Sequence, residues 1–188
     1  QRKGDTVPNS LMPSTTALGD FQQARRRAAM RELIARLTGH STDLLSFEDV
    51  RQKLKAQVSA KRELHDIPLD AIVGSVGRYS DFTRDFLPRK DSDAMRWAGV
   101  RSAIESEAGV PPIEVYKLGN AYFVLDGNHR VSVARETGAT HIHAYVTDVQ
   151  TRVPFVLGDS PDDLIIKAEY AGFLEATDLD QQRPTATL

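Results

Sequence analysis

The amino-acid sequence predicts an α+β domain in which a small mixed sheet is flanked by helices. Short apolar segments with strand character are concentrated between Leu64 and Val149, and segments with helical periodicity alternate with them. One helical segment precedes this region and another follows it. Glycines stand where helices are expected to end, as at Gly39, Gly109 and Gly138. We therefore expect an N-terminal helical extension, a central sheet and a C-terminal helix.

Composition is that of a globular protein and excludes several kinds of site. The chain has 188 residues, 40% of them hydrophobic and 27% charged, which allows one well-buried domain with an appendage. The formal net charge of −2 gives no global reason to expect nucleic acid or a membrane as a partner, so either would need a local patch. The absence of cysteine excludes disulfides, thiolate metal sites and thiol nucleophiles. No apolar run approaches membrane-spanning length and the first residues lack the features of a secretory signal, so the expected compartment is the cytoplasm.

The first part of the chain predicts an arm followed by a helical extension. Residues 1–17 are polar and contain prolines, so we expect a disordered arm, and residues 18–60 form the expected extension. Its first helix is predicted at residues 20–37. Apolar side chains recur on one face of this helix, and we expect them to be buried against the domain or another copy of the chain: Met30, Leu33, Ile34 and Leu37.

A cluster of arginines gives the same helix a basic side. Arg25, Arg26, Arg27 and Arg31 are close in sequence, and the basic segment runs from Arg25 to Arg36. Clustered cations are typical of surfaces that bind nucleic acid or an acidic protein partner. The alternative is a solvated helix face, which the lack of interleaved aromatic residues favours.

A second helix is predicted from Phe47 to about Gln57. Ser46 is suited to cap its first turn, with Asp49 three residues further on. The charged residues 61–63 are expected to join this extension to the central domain, residues 61–150.

The central domain is expected to supply the strands of the sheet. A short strand and a proline-started turn are predicted at residues 65–73, and an irregular charged loop at residues 78–93. The following helix should direct Trp97, Val100 and Ile104 inward. The remaining predicted elements are helices at residues 94–107 and 128–136 and strands at residues 111–118, 121–125 and 141–149.

The last segment, residues 151–188, predicts a helix and a tail. Pro161 suits a first helical turn, and the acids around it suit the positive end of the helix dipole. Residues 181–188 are expected to be loose. The expected buried stripe of the helix is Leu164, Ala168, Ala171 and Leu174 (or Ile165).

The junction at Asp126 and Gly127 is the most informative segment. An apolar strand ends there, and a helix with a polar, basic first turn begins at once. Such a junction directs free amides and the positive end of the helix dipole at one point, where His129 and Arg130 add donors. Gly127 would let an anion approach the backbone closely, and Arg130 would give a bidentate contact to phosphate oxygens. Asp126 would either cap the helix or bind Mg²⁺.

A plain strand–helix turn is the alternative interpretation of this junction. Asp126 or Asn128 would then cap the helix, and the basic side chains would face solvent. His129, His141 and His143 could indicate a metal site, but no Asp or Glu is placed to complete one, and ordinary strand histidines are the favoured interpretation.

Four short motifs, taken in order, resemble the ParB/sulfiredoxin-like superfamily. They are Ile67-Pro68-Leu69-Asp70-Ala71-Ile72, Pro112-Ile113-Glu114-Val115, Gly127-Asn128-His129-Arg130 and Ile142-His143-Ala144-Tyr145-Val146. The third falls where ParB proteins carry Gly-Glu-Arg-Arg and sulfiredoxins carry Gly-Cys-His-Arg. The resemblance implies a small mixed sheet flanked by helices, and it covers roughly half of the chain.

Departures from the superfamily's motifs narrow the expected function. Sulfiredoxin chemistry uses a cysteine where this sequence has Asn128, so that activity is excluded. ParB proteins continue into a second nucleotide box and a helix-turn-helix domain, whereas one helix and a tail are predicted after Val149, so centromere binding of the ParB kind is not expected. A third branch of small-molecule kinases, a free-serine kinase among them, has a similar Asp-Gly-x-His-Arg turn.

The resemblance implies a nucleotide ligand. In the ParB and kinase branches this turn contacts nucleotide phosphates, so Gly127, Asn128, His129 and Arg130 are expected to hold phosphates, with Mg²⁺ present. CTP is the ligand of the ParB branch, and ATP or ADP would fit the kinase branch. Arg78 lies where the superfamily places an arginine that faces the ligand.

Three functions stay open on this basis. The favoured one is a nucleotide-binding module that acts as a regulatory or DNA-associated switch, with a homodimer among its expected states. The second is a small-molecule kinase or nucleotide hydrolase in which Asp81 or Asp126 is the base or Mg²⁺ ligand. The third is a non-catalytic scaffold.

The charged loop at residues 78–93 has two expected roles. It would close over phosphates, or it would be solvated with Phe82 and Phe86 packed beneath it.

Overall fold

A mixed sheet with helices on both faces forms the body of the molecule. The structure is a computed structural model that describes residues 13–39, 41–106, 109–159 and 161–179. The helices are α1 (Thr15–Thr38), α2 (Phe47–Lys53), α3 (Ala94–Glu105), α4 (Asn128–Glu136) and α5 (Pro161–Thr177). The strands are β1 (Leu45–Ser46), β2 (Gln57–Pro68), β3 (Ile72–Ser75), β4 (Ile113–Leu118), β5 (Ala121–Asp126) and β6 (His141–Gln150).

Both parallel and antiparallel pairs occur in the sheet. Its order is β1-β3-β5-β4-β6-β2. The β1–β3, β3–β5 and β4–β6 pairs are parallel, and the β5–β4 and β6–β2 pairs are antiparallel. The predicted α+β class is therefore confirmed. No helix in the described ranges is both long enough and apolar enough to cross a membrane.

Two apolar layers hold the helices to the sheet. On one face, Val131 and Ala134 of α4 pack against strand residues such as Val115. On the other face, Phe47 of α2 and Leu164 of α5 pack against β4 and β5. These layers fix the position of α4 relative to the end of β5, where the cleft described below is found.

Helix α3 is joined to α4 through one buried side chain. Trp97 is fully buried, and its indole Nε1 donates a hydrogen bond to Ser132 Oγ at 2.8 Å. Val100 and Ile104 pack against the same cluster, so the predicted inward face of this helix is confirmed. The helix ends at Glu105, with Ser106 as its C-cap; the last residue of the predicted range lies outside the described residues.

The first helix differs from its prediction in its start and in its buried face. It begins at Thr15, where Ser14 Oγ accepts a hydrogen bond from the amide of Ala17, so the end of the expected arm is helical. Residues 1–12, the rest of that arm, lie outside the described residues. The domain does not bury the predicted stripe: Met30, Leu33, Ile34 and Leu37 are 52–80% exposed, and the residues of α1 that it buries are Ala17, Phe21, Ala24 and Ala28.

The physical reason is that small residues, rather than the largest apolar ones, allow α1 to approach the domain closely. The three alanines place the helix backbone near its neighbours, and Phe21 packs against Trp97 with 5.8 Å between ring centroids. Alanine contributes weakly to an apolar pattern, so the pattern did not indicate the face that packs against the domain.

Strand β2 occupies residues that were assigned to a helix end and a linker. Helix α2 stops at Lys53, and β2 runs from Gln57 through residues 61–63 and pairs with β6, with a register shift between Val58 and Arg62. Pairing with β6 outweighs the local preference of this charged segment. The predicted cap is confirmed, because Ser46 Oγ accepts a hydrogen bond from the amide of Asp49 at 3.3 Å.

The remaining elements lie close to their predicted positions. Helix α4 has the predicted bounds, and Phe82 and Phe86 are buried beneath the charged loop as expected. Leu164, Ala171 and Leu174 are buried on α5, whereas Ile165 is exposed. The expected loose tail, residues 181–188, lies outside the described residues.

Candidate functional site

A cleft of about 260 Å³ opens in front of the first turn of α4. Residues from the β5–α4 junction, from α3 and from the loop after β3 form its walls. They are Arg78, Arg96, Val100, Asp126, Gly127, Asn128, His129 and Arg130. The structure therefore brings together six of the seven predicted site residues; Asp81 is the exception.

Gly127 makes the sharp turn between β5 and α4. Its φ of +112° lies in the left-handed region, which residues with a Cβ rarely adopt. A Cβ at this position would lie 2.5 Å from Ile113 Cγ2 and 2.9 Å from Ile113 Cβ. Contact with β4 and the positive φ thus both require a glycine here; the close approach of an anion at Gly127 stays a prediction.

The first turn of α4 presents backbone amides to the cleft. The amide of Val131 donates to the carbonyl of Gly127 at 3.0 Å and closes the first helical hydrogen bond. The amides of Asn128, His129 and Arg130 precede it and have no acceptor within the helix. No side chain of the N-cap residue can satisfy them, because that residue is Gly127. The positive end of the helix dipole therefore faces the cleft without a capping side chain.

The guanidinium of Arg130 is turned back onto the protein. Its Nη1 donates to the carbonyls of Pro111 and Pro112 at 2.7 and 2.8 Å, and its Nη2 pairs with the Asp126 carboxylate. These contacts tie the start of α4 to the segment before β4. Asp126 is itself 70% exposed at the mouth of the cleft, so its second carboxylate oxygen is accessible. Arg130 is thus engaged in holding the turn.

His129 is buried and neutral at physiological pH. Burial lowers the pKa of His129 from 6.5 to about 4; the Asp93 carboxylate opposes this shift, and the nearby Arg78 and Arg96 guanidinium groups add to it. Arg78 Nη1 lies 3.1 Å from His129 Nε2. Because a guanidinium only donates, Nε2 is the acceptor and the proton is on Nδ1. Nδ1 is buried and has no hydrogen-bond partner among the described residues.

Arg78 links the loop after β3 to the cleft. Its Nη1 lies 3.4 Å from Asp93 Oδ1, and its Nε lies 3.7 Å from Asp81 Oδ2. Asp81 is also held by Lys90 Nζ at 2.5 Å, and it does not line the cleft. As a consequence Asp81 neutralises the loop's own cations instead of facing a ligand.

Arg96 is a cleft residue that the sequence analysis missed. It is exposed on α3, lines the cleft, and makes no hydrogen bond or ion pair with any described residue. Arg96 lies in the first turn of α3, two positions after Ala94 and directly before the buried Trp97. Its position next to a predicted inward residue was the one feature of the sequence that could have indicated it, because such a residue lies at the border of the buried face of the helix.

Two buried carbonyl-type oxygens beside the cleft have no partner in the described part of the chain. They are Asn128 Oδ1 and Asp93 Oδ2. Asn128 is 7% exposed and lines the cleft. Buried polar atoms are nearly always hydrogen-bonded in native proteins, so a donor is expected to reach Asn128 Oδ1 from the cleft.

The other histidines considered as metal ligands lie on a strand away from the cleft. His141 and His143 are exposed on β6, and His143 Nδ1 lies 3.5 Å from Asp66 Oδ1. Within the described ranges, no group of three or more His, Cys, Asp or Glu side chains is arranged to hold a metal ion.

The basic side of α1 is largely neutralised by acids of the domain. Arg25 pairs with Asp91 at 3.2 Å and Arg27 with Glu136 at 2.8 Å. Arg31 pairs with the Asp85 carboxylate. Three of the four clustered arginines therefore attach α1 to the domain instead of forming an open cationic surface.

Comparison with known proteins identifies the family. The family model for the ParB N-terminal domain matches residues 53–157, which are more than half of the chain and include every residue of the cleft. No curated protein matches this sequence. Among solved structures, sulfiredoxin from Arabidopsis thaliana is similar at 18% identity over 45% of this chain and 83% of that chain, with a TM-score of 0.34, which is too distant to inform function. The predicted superfamily is confirmed by the first of these matches: this chain belongs to the ParB N-terminal domain family.

Proposed function

We propose that this protein binds the phosphate groups of a nucleotide in the cleft before α4. One observation carries this proposal: the uncapped N-terminus of α4 and the guanidinium of Arg96, which has no partner among the described residues, line the same cleft. Free amides and a helix dipole are a general anion site, and a guanidinium matches phosphate oxygens in a bidentate manner.

Each cleft residue then has a distinct part in binding. The amides of Asn128, His129 and Arg130 donate to phosphate oxygens, and Arg96 neutralises their charge. The side chain of Arg130 holds the turn in place through the carbonyls of Pro111 and Pro112. This division differs from the sequence-based expectation that the Arg130 guanidinium itself grips phosphate.

A divalent cation would enter with the nucleotide. Mg²⁺ is typically bound by one or two carboxylates together with phosphates and water. Asp126 is the exposed carboxylate at the cleft and is the proposed protein ligand, with the phosphates supplying the remaining charge. The resemblance to ParB proteins favours CTP, and ATP is the alternative.

Binding without turnover is the proposed activity. A phosphoryl-transfer enzyme needs a base within hydrogen-bond reach of the acceptor. Asp81 is occupied by Lys90 and lies away from the cleft walls, which disfavours it as that base. A nucleotide-dependent switch is therefore favoured over a kinase or hydrolase, and the pairing of α1 arginines with the domain gives no support to that helix as a nucleic-acid surface.

Calorimetric titration tests this proposal. CTP, ATP, ADP and GTP are titrated in turn, with Mg²⁺ and with EDTA, into the wild-type chain and into Arg96→Ala. We expect one nucleotide to bind, and Arg96→Ala to weaken it about tenfold, the loss of one charge-assisted contact. Arg26→Ala is the matched control, because Arg26 is equally exposed but lies on α1 away from the cleft.

Other results would point elsewhere. If none of the four nucleotides binds, the proposal is contradicted and the non-catalytic scaffold becomes the favoured function. Release of phosphate or phosphorylation of a small metabolite, abolished by Asp81→Ala, would replace the switch with an enzyme.

A further inference from the structure

Strand β2 is an exposed edge of the sheet. It is the last strand in the order, it pairs with β6 on one side, and no other described strand pairs with its outer side. Its register with β6 is irregular between Val58 and Arg62 and then continuous to Pro68. The regular part, residues 62–68, therefore leaves a row of backbone donors and acceptors open to pairing.

The side chains of this edge are arranged as a self-complementary set. Arg62, Leu64 and Asp66 share one face, and Glu63 and His65 lie on the other, because side chains alternate along a strand. Leu64 is 57% exposed at the centre, with the basic Arg62 on one side and the acidic Asp66 on the other. A second copy of β2, turned by a two-fold axis, presents the same charges in reverse order.

We propose that β2 pairs antiparallel with β2 of a second copy of this chain, with Leu64 opposite Leu64. In this register Arg62 faces Asp66 of the partner subunit and Glu63 faces His65 of the partner subunit, and each contact occurs twice. The two six-stranded sheets become one continuous sheet.

Symmetry selects this register. A two-fold axis perpendicular to the sheet keeps each face on its own side, so a residue must face one of the same parity. If the two-fold axis passed through Arg62 or Glu63, that charged side chain would lie directly opposite the same residue of the partner subunit, which is unfavourable. An axis through His65 would place two titratable side chains opposite each other. Among residues 61–66, Leu64 is the one whose side chain has no titratable group, and centring there pairs opposite charges on its face.

Arg62 has contacts within its own chain that bear on this pairing. Its Nη2 lies 2.6 Å from Glu114 Oε1 on β4, and its guanidinium lies 4.1 Å from the ring centroid of Tyr145 on β6. Both partners lie on the inner side of β2, so the Arg62 side chain exchanges Glu114 for Asp66 of the partner subunit when the two edges pair. Pro68 has no amide hydrogen, so the ladder is expected to end there.

Charge exchange between positions 62 and 66 tests the proposal. Sedimentation velocity is run over a dilution series, without nucleotide, on the full wild-type chain, Arg62→Asp, Asp66→Arg and the double variant. We expect a dimer for the wild type, because its edge is self-complementary. Each single variant places like charges opposite each other twice and should raise the dimer dissociation constant by roughly tenfold or more. The double variant restores opposite charges and should restore the dimer.

Mixing the two single variants is the sharper measurement. Arg62→Asp leaves carboxylates at both positions of one chain, and Asp66→Arg leaves guanidinium groups at both positions of the other, so the mixture should form a heterodimer that neither forms alone. Thermal melts of each variant separate a folding defect from lost association, since Arg62 also contacts Glu114. A monomeric wild type throughout the series, dimeric single variants, or no heterodimer in the mixture of folded variants would overturn the proposal. Because nucleotide is absent, these results are independent of ligand binding in the cleft.

Discussion

Two clusters of arginine lie on this molecule, one around the first turn of α4 and one along α1, and they differ in what their guanidinium groups contact. Along α1, Arg25, Arg27 and Arg31 each pair with an acid of the domain. At α4, Arg96 has no partner among the described residues and faces the same cleft as uncapped backbone amides. A count of cations in the sequence treats the two clusters alike, whereas three of the four clustered arginines of α1 are already paired with acids and Arg96 at the cleft pairs with none in the described ranges.

The two clusters also differ in how their backbone is constrained. Helix α1 ends in an ordinary left-handed glycine cap at Gly39, with open space around it. The turn into α4 is tight because Gly127 touches Ile113, and Arg130 ties the same turn to the carbonyls before β4. A rigid turn keeps its amides aimed at one point, which is what preorganised anion binding requires.

Replacing Gly127 should have the largest effect. Gly127→Ala forces a Cβ to within 2.5 Å of Ile113 and keeps a residue with a Cβ at positive φ. We expect a loss of about 3 kcal/mol in the free energy of unfolding, measured by urea denaturation. Gly138→Ala is the control: φ is +76° there but the space is open, so about 1 kcal/mol is expected. Equal losses in the two variants would show that contact with Ile113 does not matter.

The pH dependence of stability should report the burial of His129. Its pKa is about 4 in the folded protein and near 6.5 when unfolded, so between these values the unfolded state binds more protons. The contribution of neutral His129 is therefore full above about pH 6.5 and is lost as pH falls toward about 4, by on the order of 2 kcal/mol. His129→Gln should flatten this part of the curve in denaturation experiments at stepped pH. An unchanged slope in the variant would mean that the pKa of His129 is the same in the folded and unfolded states.

Comparing variants of Arg130 and Arg96 distinguishes a residue that positions the turn from one that binds the ligand. Arg130→Lys removes the forked contact with the Pro111 and Pro112 carbonyls, and we expect it to cost about 1.5 kcal/mol of stability by denaturation, since hydrogen bonds of a charged group are lost. Arg96→Ala, which removes no protein contact, should change stability by less than about 0.5 kcal/mol. The interpretation is reversed if Arg96→Ala destabilises the protein and Arg130→Lys does not.

The apolar end of α1 should give the smallest effect. Leu37 is 80% exposed, so Leu37→Gln should change the free energy of unfolding by less than about 0.5 kcal/mol. Phe21→Ala is the matched change on the buried face and should cost about 3 kcal/mol. A large loss from Leu37→Gln would show that this end of the helix is covered in solution.

The sequence predicted the parts of the molecule where local pattern and tertiary environment agree. The strand–glycine–helix junction at Gly127 and the inward face of Trp97 were predicted because apolar spacing and turn chemistry indicate the same structure there. The buried face of α1 was not, because Ala24 and Ala28 carry weak hydrophobic signal although they permit the closest contact. The first part of the charged edge β2, residues 57–64, was not predicted either, since only its pairing with β6 makes it a strand.

The candidate site was predicted in outline and not in its contacts. The junction and Arg78 were named from the motif, and they do lie at one cleft. The inward turn of the Arg130 guanidinium depends on the Pro111 and Pro112 carbonyls, which no local pattern reveals. Arg96 was missed because α3 reaches the cleft only through the packing of Trp97 against α4.

The most direct test of the central claim is nuclear magnetic resonance of the backbone amides during titration with Mg²⁺ and the nucleotide that binds by calorimetry. If phosphates bind at the first turn of α4, the largest amide shift changes will be those of Asn128, His129 and Arg130, and Arg96→Ala will reduce them at equal nucleotide concentration. Changes confined to another part of the chain, such as α1, or no change at these three amides under saturating nucleotide, would contradict the account.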